Sequence, residues 1–574
     1  MHGRLRLGSA LDRRAAADGR GGAGCARADR GGIAPRLLAL ALQAGAGWRL
    51  GASRRGPDAR GGWLSQSAVP VHADADARAA HSPRAQDRLP VRALHAARSL
   101  AQEFLGRAAV AAALCLGLAS CATPSIDRYL LQAEAGATPV QLKGARGYLS
   151  RGESKAVLEA LQAKSPDAGL LERHVAIEQS LSGNPLSLGN RVTLLEDGKQ
   201  TYAAMLAAIR AARHHVHLET YIFEADDTGK DFSAALVARA KAGVKVRLIY
   251  DAVGSIKTPK EFFKQMADAG VEVLEFNPIS AQTLAKGGLA LLNQRDHRKI
   301  TIVDGRAAFL GGINISDVYG ASSTGSGRQG ATRGRGETGA VEDNPWRDMQ
   351  SRIEGPAVAD VQRAFLKQWA RRRDEAPITD KAYYPALAQV GPHIVRVMEG
   401  SPKDEGINDV YAAFISAIDN AEKEVSIMNP YFVPHAELLR ALREAAQRGV
   451  QVTLMLPGHS DSWLTYYAGR SFYGYLLAAG VRIYERKNRI LHAKSATVDG
   501  VWATVGSTNL DWRSLLYNDE INVVVLGPDF AGQLNQVFKG DLAASDAITP
   551  EAWARRPLAA RAKEAAARLW ARLL

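Results

Sequence analysis

The chain is 574 residues long with 46% hydrophobic and 23% charged residues, a composition that fits two or three globular domains and excludes a fibrous or low-complexity protein. Its net charge of +14 suggests a nucleic-acid partner, but residues 1–107 hold 18 Arg and no Lys against 7 Asp and 1 Glu, so a surplus of ten lies there and the rest is close to balanced. That placement argues against nucleic acid as the partner of the folded body.

In chain order, residues 1–107 are rich in Arg, Ala and Gly and show no sustained apolar period. They read either as a disordered arginine-rich arm for anionic polymers or head groups, or as a segment translated from a start assigned too far upstream. Residues 108–121 follow Arg107 with an apolar run too short to span a bilayer and a small-residue site ending in Cys121, the layout of a signal peptide. The "LASC" at 118–121 resembles a bacterial lipobox. It implies that Cys121 is diacylated and anchors the chain to a membrane, with Ala122 favouring the outer membrane over the inner one. The alternative is an alanine-rich buried helix with a spectator cysteine. Cys25, Cys115 and Cys121 are the only cysteines, so the body after them has no disulfide, thiol nucleophile or cysteine metal site. Residues 122–190 read as short helices closed by the turn cluster "SGNPLSLGN".

An internal repeat organises the remainder. "YAAMLAAIRAARHHVHLETYIF" from Tyr202 and "YAAFISAIDNAEKEVSIMNPYF" from Tyr411 each pass from a helical period to an alternating run. "ARAKAGVKVRLIYD" and "REAAQRGVQVTLML" each predict a helix, a stop at Gly243 or Gly449, and a strand. The expectation is two similar α/β domains, 191–390 and 391–548, each running helix, strand, helix, strand and then a histidine motif. Residues 320–344 form a Gly/Ser/Arg-rich insertion without a counterpart, expected to be a loop. Trp463, Tyr466, Tyr467, Phe472, Tyr473 and Tyr475 cluster in the second domain as core or as an interfacial surface. Residues 549–574 predict a basic helix carrying Leu569, Trp570, Leu573 and Leu574, suited to packing or to lying on a membrane.

"DHRKITIVDGRAAFLGGIN" and "LHAKSATVDGVWATVGSTN" set His297, Lys299 and Asp304 at the spacing of His492, Lys494 and Asp499. Asn314 and Asn509 close the two motifs, and Gly312 stands where the second has Ser507. If a pseudo-twofold brings both motifs to one cleft, the lysines supply positive charge, and Asn314, Asn509 and Ser507 supply neutral donors to a phosphodiester transition state. One imidazole could attack phosphorus while the other protonates the leaving oxygen, which requires no metal or cofactor. Asp304 and Asp499 precede glycines in strand-end turns and suit a geometric role. Asp348 and Glu520 could each accept a hydrogen bond from a histidine ring. His214, His215 and His217 lack a counterpart in the second repeat and read as structural.

The paired motifs resemble the HxKxxxxD signature of the phospholipase D superfamily. "LETYIF", "WRDMQSRIEGPAV", "NPYFVPHAELLRAL" and "DWRSLLYNDEINVVV" resemble bacterial cardiolipin synthases. The resemblance implies a pseudo-twofold α/β fold with the active site at the domain interface. Because both motifs lie in one chain, a monomer suffices to form the site. It also implies a catalytic set of His297, Lys299, Asp304, His492, Lys494 and Asp499, with a phosphohistidine on His297 and His492 as acid and base. The implied substrate is phosphatidylglycerol or another glycerophospholipid at a membrane surface. A hydrolytic phospholipase D and a phosphodiesterase or nuclease of the same superfamily are the alternatives.

Overall fold

The computed structural model describes residues 125–574 except 165–169, 282, 284–292, 321–344 and 402–407. The extension at 1–107, the apolar run with Cys121 and nearly all of the 320–344 insertion lie outside the described residues.

Each repeat forms a sheet with the same strand order. In the first, Glu272–Phe276, Lys245–Asp251 and His215–Thr220 are parallel neighbours, and Ile300–Val303, Ala307–Gly311, Gln350–Glu354 and Leu186–Leu195 continue the sheet antiparallel. In the second, Arg482–Arg486, Gln451–Pro457 and Glu424–Met428 are parallel, followed by Ser495–Val498, Trp502–Gly506, Glu520–Leu526 and His393–Gly400. The equivalent strands Leu186–Leu195 and His393–Gly400 pair antiparallel with each other and join the sheets edge to edge. Antiparallel pairing of equivalent strands is what a pseudo-twofold axis between them produces.

The crossover helices Asp227–Lys241 and Ala436–Gln447 end just before Gly243 at φ +84° and Gly449 at φ +93°, the left-handed positions that glycine fills without steric cost. Each half has one helix–strand step more than the sequence pattern predicted. Helix Lys260–Asp268 leads to Glu272–Phe276, and helices Trp463–Arg470 and Tyr473–Leu477 lead to Arg482–Arg486. These strands are only partly buried: "EVLEF", and "RIYER", which lies between Gln451–Pro457 and an antiparallel strand Ser545–Ile548. Their charged residues break up the apolar run that marks a central strand.

The expected turn cluster before residue 190 is also a strand. Leu186–Leu195 runs through it, with Gly189 at φ +79° where the pairing to His393–Gly400 shifts register. Nor is the preceding helical region separate from the body. Ile126, Leu142, Leu170 and Val175 are buried in one core with Leu438, Leu454 and Trp502 of the second repeat. Helix Leu170–Leu181 also carries Glu178, which bonds Arg396 at 3.1 Å and accepts from Trp502 Nε1 at 2.9 Å, all buried. A second core joins both repeats: Ile300, Ile302 and Leu310 cluster with Val395, Val505 and Val523. Helices Val358–Arg373 and Pro528–Leu542 add Trp369 and Phe530 to it.

Candidate active site

The two histidine motifs occupy equivalent places. Each histidine lies just before a fully buried strand, Ile300–Val303 or Ser495–Val498, and each asparagine follows the next strand of the hairpin. His297, His492, Asn314 and Asn509 line one cavity of about 370 Å³, together with Tyr221, Tyr431, Arg295, Arg513, Trp346 and Asp461. The first repeat contributes Tyr221 edge-on to the His297 ring at 5.1 Å, and the second Tyr431 edge-on to His492 at 6.1 Å.

The carboxylates are exchanged between the repeats. His297 Nδ1 lies 3.1 Å from both oxygens of Glu520, 223 residues away. His492 Nδ1 lies 2.6 Å from Asp348 Oδ2, 144 residues away. Backbone pairing enforces the exchange: His297 N–H donates to the carbonyl of Asp519, next to Glu520, and His492 N–H to that of Arg347, next to Asp348. Ile490–Leu491 and Trp346–Arg347 form a small parallel ladder, and Asp296 bridges Asp519 in the same sense. With Nδ1 donating to a carboxylate, each ring turns its Nε2 lone pair away, free for chemistry in the cleft.

Burial dominates the electrostatics. It pushes His297 down to about 4 against the opposing charge of Glu520, and holds His492 well below the usual imidazole range. It also brings Lys299 down to about 7 and Lys494 to about 8. Each ammonium donates at 2.5 Å to the carbonyl of its own motif histidine, and Lys494 Nζ lies 2.9 Å from His492 Nδ1. The two carboxyls differ. Burial raises Asp348 to about 7. Glu520 stays below its ordinary value because His297, Lys299 and the Ser507 hydroxyl outweigh burial. Ser507 and Ser514 donate to Glu520 at 2.5 and 2.7 Å. Opposite Ser507, Gly312 leaves no such donor for Asp348, and a Cβ there would come within 2.3 Å of Asp348 Oδ1.

Three of the expected site residues bond protein groups. The Ser507 hydroxyl, expected as a phosphate donor, donates to the Glu520 carboxylate. Asp304 and Asp499, carried into the catalytic set by resemblance, bind backbone instead. Asp304 accepts from the N–H groups of Arg213, His214 and His215 at 2.7–3.2 Å, and Asp499 from Glu422, Lys423 and Glu424 at 2.7–3.0 Å. Both sit at φ +53° at the far end of the strand from the histidine, so they tie the hairpin turn to the neighbouring strand. Asn314 lines the cleft, but its Oδ1 accepts from Ile222 N–H and its Nδ2 donates to Tyr319 OH, which leaves one N–H. Asn509 retains a buried Oδ1 without a partner.

His215 and His217 are buried structural residues, bonded to Gln362 and packed on Tyr383. Tyr221 and Tyr431 escaped the repeat comparison because, counted from Tyr202 and Tyr411, they stand one position apart in the two copies. Arg295, Arg513 and Asp461 carried no repeat signal.

A doubled α/β fold with both histidine motifs facing one cleft is the architecture of the phospholipase D class. The family model described as cardiolipin synthase, PLD-like domain matches residues 205–319 and 414–542. A cardiolipin synthase of Geobacillus sp. (strain WCH70) is 35% identical over 394 residues, 68% of this chain and 74% of that protein. Cardiolipin synthase 2 of Bacillus anthracis is 36% identical over 393 residues, 68% and 72% of the respective chains. The chain belongs to the cardiolipin synthase family of phospholipase D-like proteins. Among solved structures, the phosphatidylserine synthase of Haemophilus influenzae Rd KW20 superposes with a TM-score of 0.52 at 14% identity, covering 69% of this chain and 99% of that one. It shares the fold.

Proposed function

We propose that the protein is a phosphatidyltransferase that joins two phosphatidylglycerols into cardiolipin with release of glycerol, or one phosphatidylglycerol with another phospholipid with release of that donor's head-group alcohol. The observation that carries this reading is the crossed pair of carboxylate–imidazole couples facing one cleft, in a chain of the cardiolipin synthase family.

In the first half-reaction His297 Nε2 attacks phosphorus and the bond to the departing glycerol oxygen breaks, while His492 delivers a proton to that oxygen. In the second, His492 takes the proton of the acceptor hydroxyl, the new P–O bond forms and the P–N bond to His297 breaks. Lys299 and Lys494 offset the phosphoryl charge, and the bound anion in turn favours a proton on His492. Asymmetry between the carboxyls supports this division of roles. An ionised Glu520, held by two serine hydroxyls, suits a fixed nucleophile. Asp348, which burial raises to about 7, suits the histidine that cycles between acid and base.

Among the described residues no helix is long and apolar enough to cross a membrane, and the reading places the protein on a membrane through acylated Cys121, with the outer membrane favoured. Incubation of the protein with phosphatidylglycerol and mass spectrometry of the lipids tests the activity. Cardiolipin with free glycerol is the expected outcome, phosphatidic acid would make it a hydrolase, and unchanged lipid would overturn the reading.

A further inference from the structure

The tail predicted from sequence as a single basic helix consists of helices Pro550–Ala554 and Leu558–Arg568 and a 3-10 turn Ala571–Leu573. Its inner face is built into the protein: Trp553, Glu564, Ala567 and Ala571 are buried, and Arg556 and Arg470 reach the Glu564 carboxylate. Lys563, Arg568 and Arg572 lie over the rings of Tyr467, Phe472 and Trp512. The arrangement resolves part of the question left by the sequence, since this segment packs on the aromatic helix Trp463–Arg470. Packing does not account for its outer face. Leu569 is 86% exposed, Trp570 51% and Leu573 48%, within little more than one turn.

Position gives this patch its meaning. Leu573 is half exposed and also lines the cavity that holds His297 and His492, which places it on the cavity rim. Leu574 lines the same cavity, and its carbonyl accepts from Arg513 N–H. On another part of the rim, Ser462 and Thr465 line the cavity and exposed Trp463 stands between them in the chain. Residues 550–574 hold six basic side chains and two acidic ones. A leucine–tryptophan cluster beside basic residues matches the boundary of an anionic bilayer, where the indole sits at head-group level and cations meet phosphates.

We propose that Leu569, Trp570 and Leu573, with Trp463, form the surface on which the protein docks to an anionic lipid bilayer, seating the mouth of the catalytic cleft against the head groups. A glycerophospholipid can then enter phosphate-first while its acyl chains stay in the bilayer. The proposal rests on the phosphatidyltransferase reading for its substrate but not for its surface.

The test uses the full chain carrying Cys121→Ser, so that no acyl anchor contributes, and compares it with the same chain carrying Leu569→Ser and Trp570→Ser, neither of which lines the cavity. Co-sedimentation with phosphatidylglycerol vesicles should fall about tenfold or more in the double variant. Turnover of vesicle phosphatidylglycerol should fall alongside it, while turnover of a monomeric short-chain phosphatidylglycerol stays within about twofold. Leu131→Ser, which changes an exposed leucine on helix Ile126–Ala135, serves as the control and should leave both unchanged. Equal vesicle binding by parent and double variant, or an equal fall on monomeric and vesicle substrate, overturns the docking surface. If the parent turns over neither substrate form, the phosphatidyltransferase reading fails while sedimentation still decides the docking.

Discussion

Glu520→Gln separates the crossed arrangement from an uncrossed one. Glu520 follows the second motif in sequence, yet it holds the histidine of the first at 3.1 Å. The substitution keeps the shape and removes the charge facing the imidazolium that forms when His297 is phosphorylated. At about 4 Å and an effective dielectric of about 20, that pairing is worth about 4 kcal/mol. At about 1.4 kcal/mol per decade of rate, kcat should fall about a thousandfold. The informative assay is covalent. With a phosphatidyl substrate bearing a good leaving group, which needs little protonation, Asp348→Asn and His492→Asn should both still load His297 and then stall. Glu520→Gln should instead load His297 slowly, as a lesion at the nucleophile would. Peptide mapping of the adduct over time checks this. Fast loading in Glu520→Gln with slow loading in Asp348→Asn would show that each carboxylate serves its own repeat and would sink the reasoning.

Lys299 and Lys494 are pushed down to about 7 and 8 by burial, so their ammonium charge is present at lower pH and lost as pH rises through that window. The pH profile of kcat/KM should therefore descend between about 7 and 8, and a descent that begins only near 10 would refute it. For Gly312→Ala, the added Cβ meets the Asp348 carboxylate. This side-chain end can swing aside, so Tm should change little while activity falls about tenfold to a hundredfold. Equal losses in Tm and activity would contradict that split. Asp304→Ala leaves three backbone donors to a lost carboxylate and should cost about 2 kcal/mol in denaturant unfolding, with kcat within about tenfold. Burial disfavours the Asp304 charge, but the N–H groups of His214, His215 and Arg213 outweigh it and lower its pKa. Its contribution is therefore present above the unfolded carboxylate range and lost as pH falls through the lowered value. Cys121→Ser should release the protein from the membrane fraction or block its maturation, and unchanged lipid labelling and fractionation would remove the acyl anchor.

The duplication, the α/β class and the paired histidine, lysine and asparagine positions were legible in the sequence because both copies keep the same local spacing. A strand period and a glycine stop are properties of neighbouring residues. The strands "EVLEF" and "RIYER" were not legible, since their partly exposed positions tolerate charges that interrupt an apolar run. The strand Leu186–Leu195 was hidden under Gly, Asn and Pro residues that read locally as a turn. Its conformation comes from pairing with Gln350–Glu354 and His393–Gly400, far along the chain.

At the site, the sequence named Asp348 and Glu520 as partners for histidines but carried no information on which served which. That choice is made by backbone pairing of Asp519 with Asp296 and of Arg347 with Leu491, contacts between segments far apart in the chain. Ser507 and Asp304 show the same limit. A hydroxyl or a carboxylate advertises its chemistry in the sequence, but where its proton or lone pair is used depends on what folding brings within 3 Å. For Ser507 that is Glu520, and for Asp304 three backbone N–H groups. Local spacing therefore determined which groups the chain owns, and tertiary pairing decided which of them line the cleft.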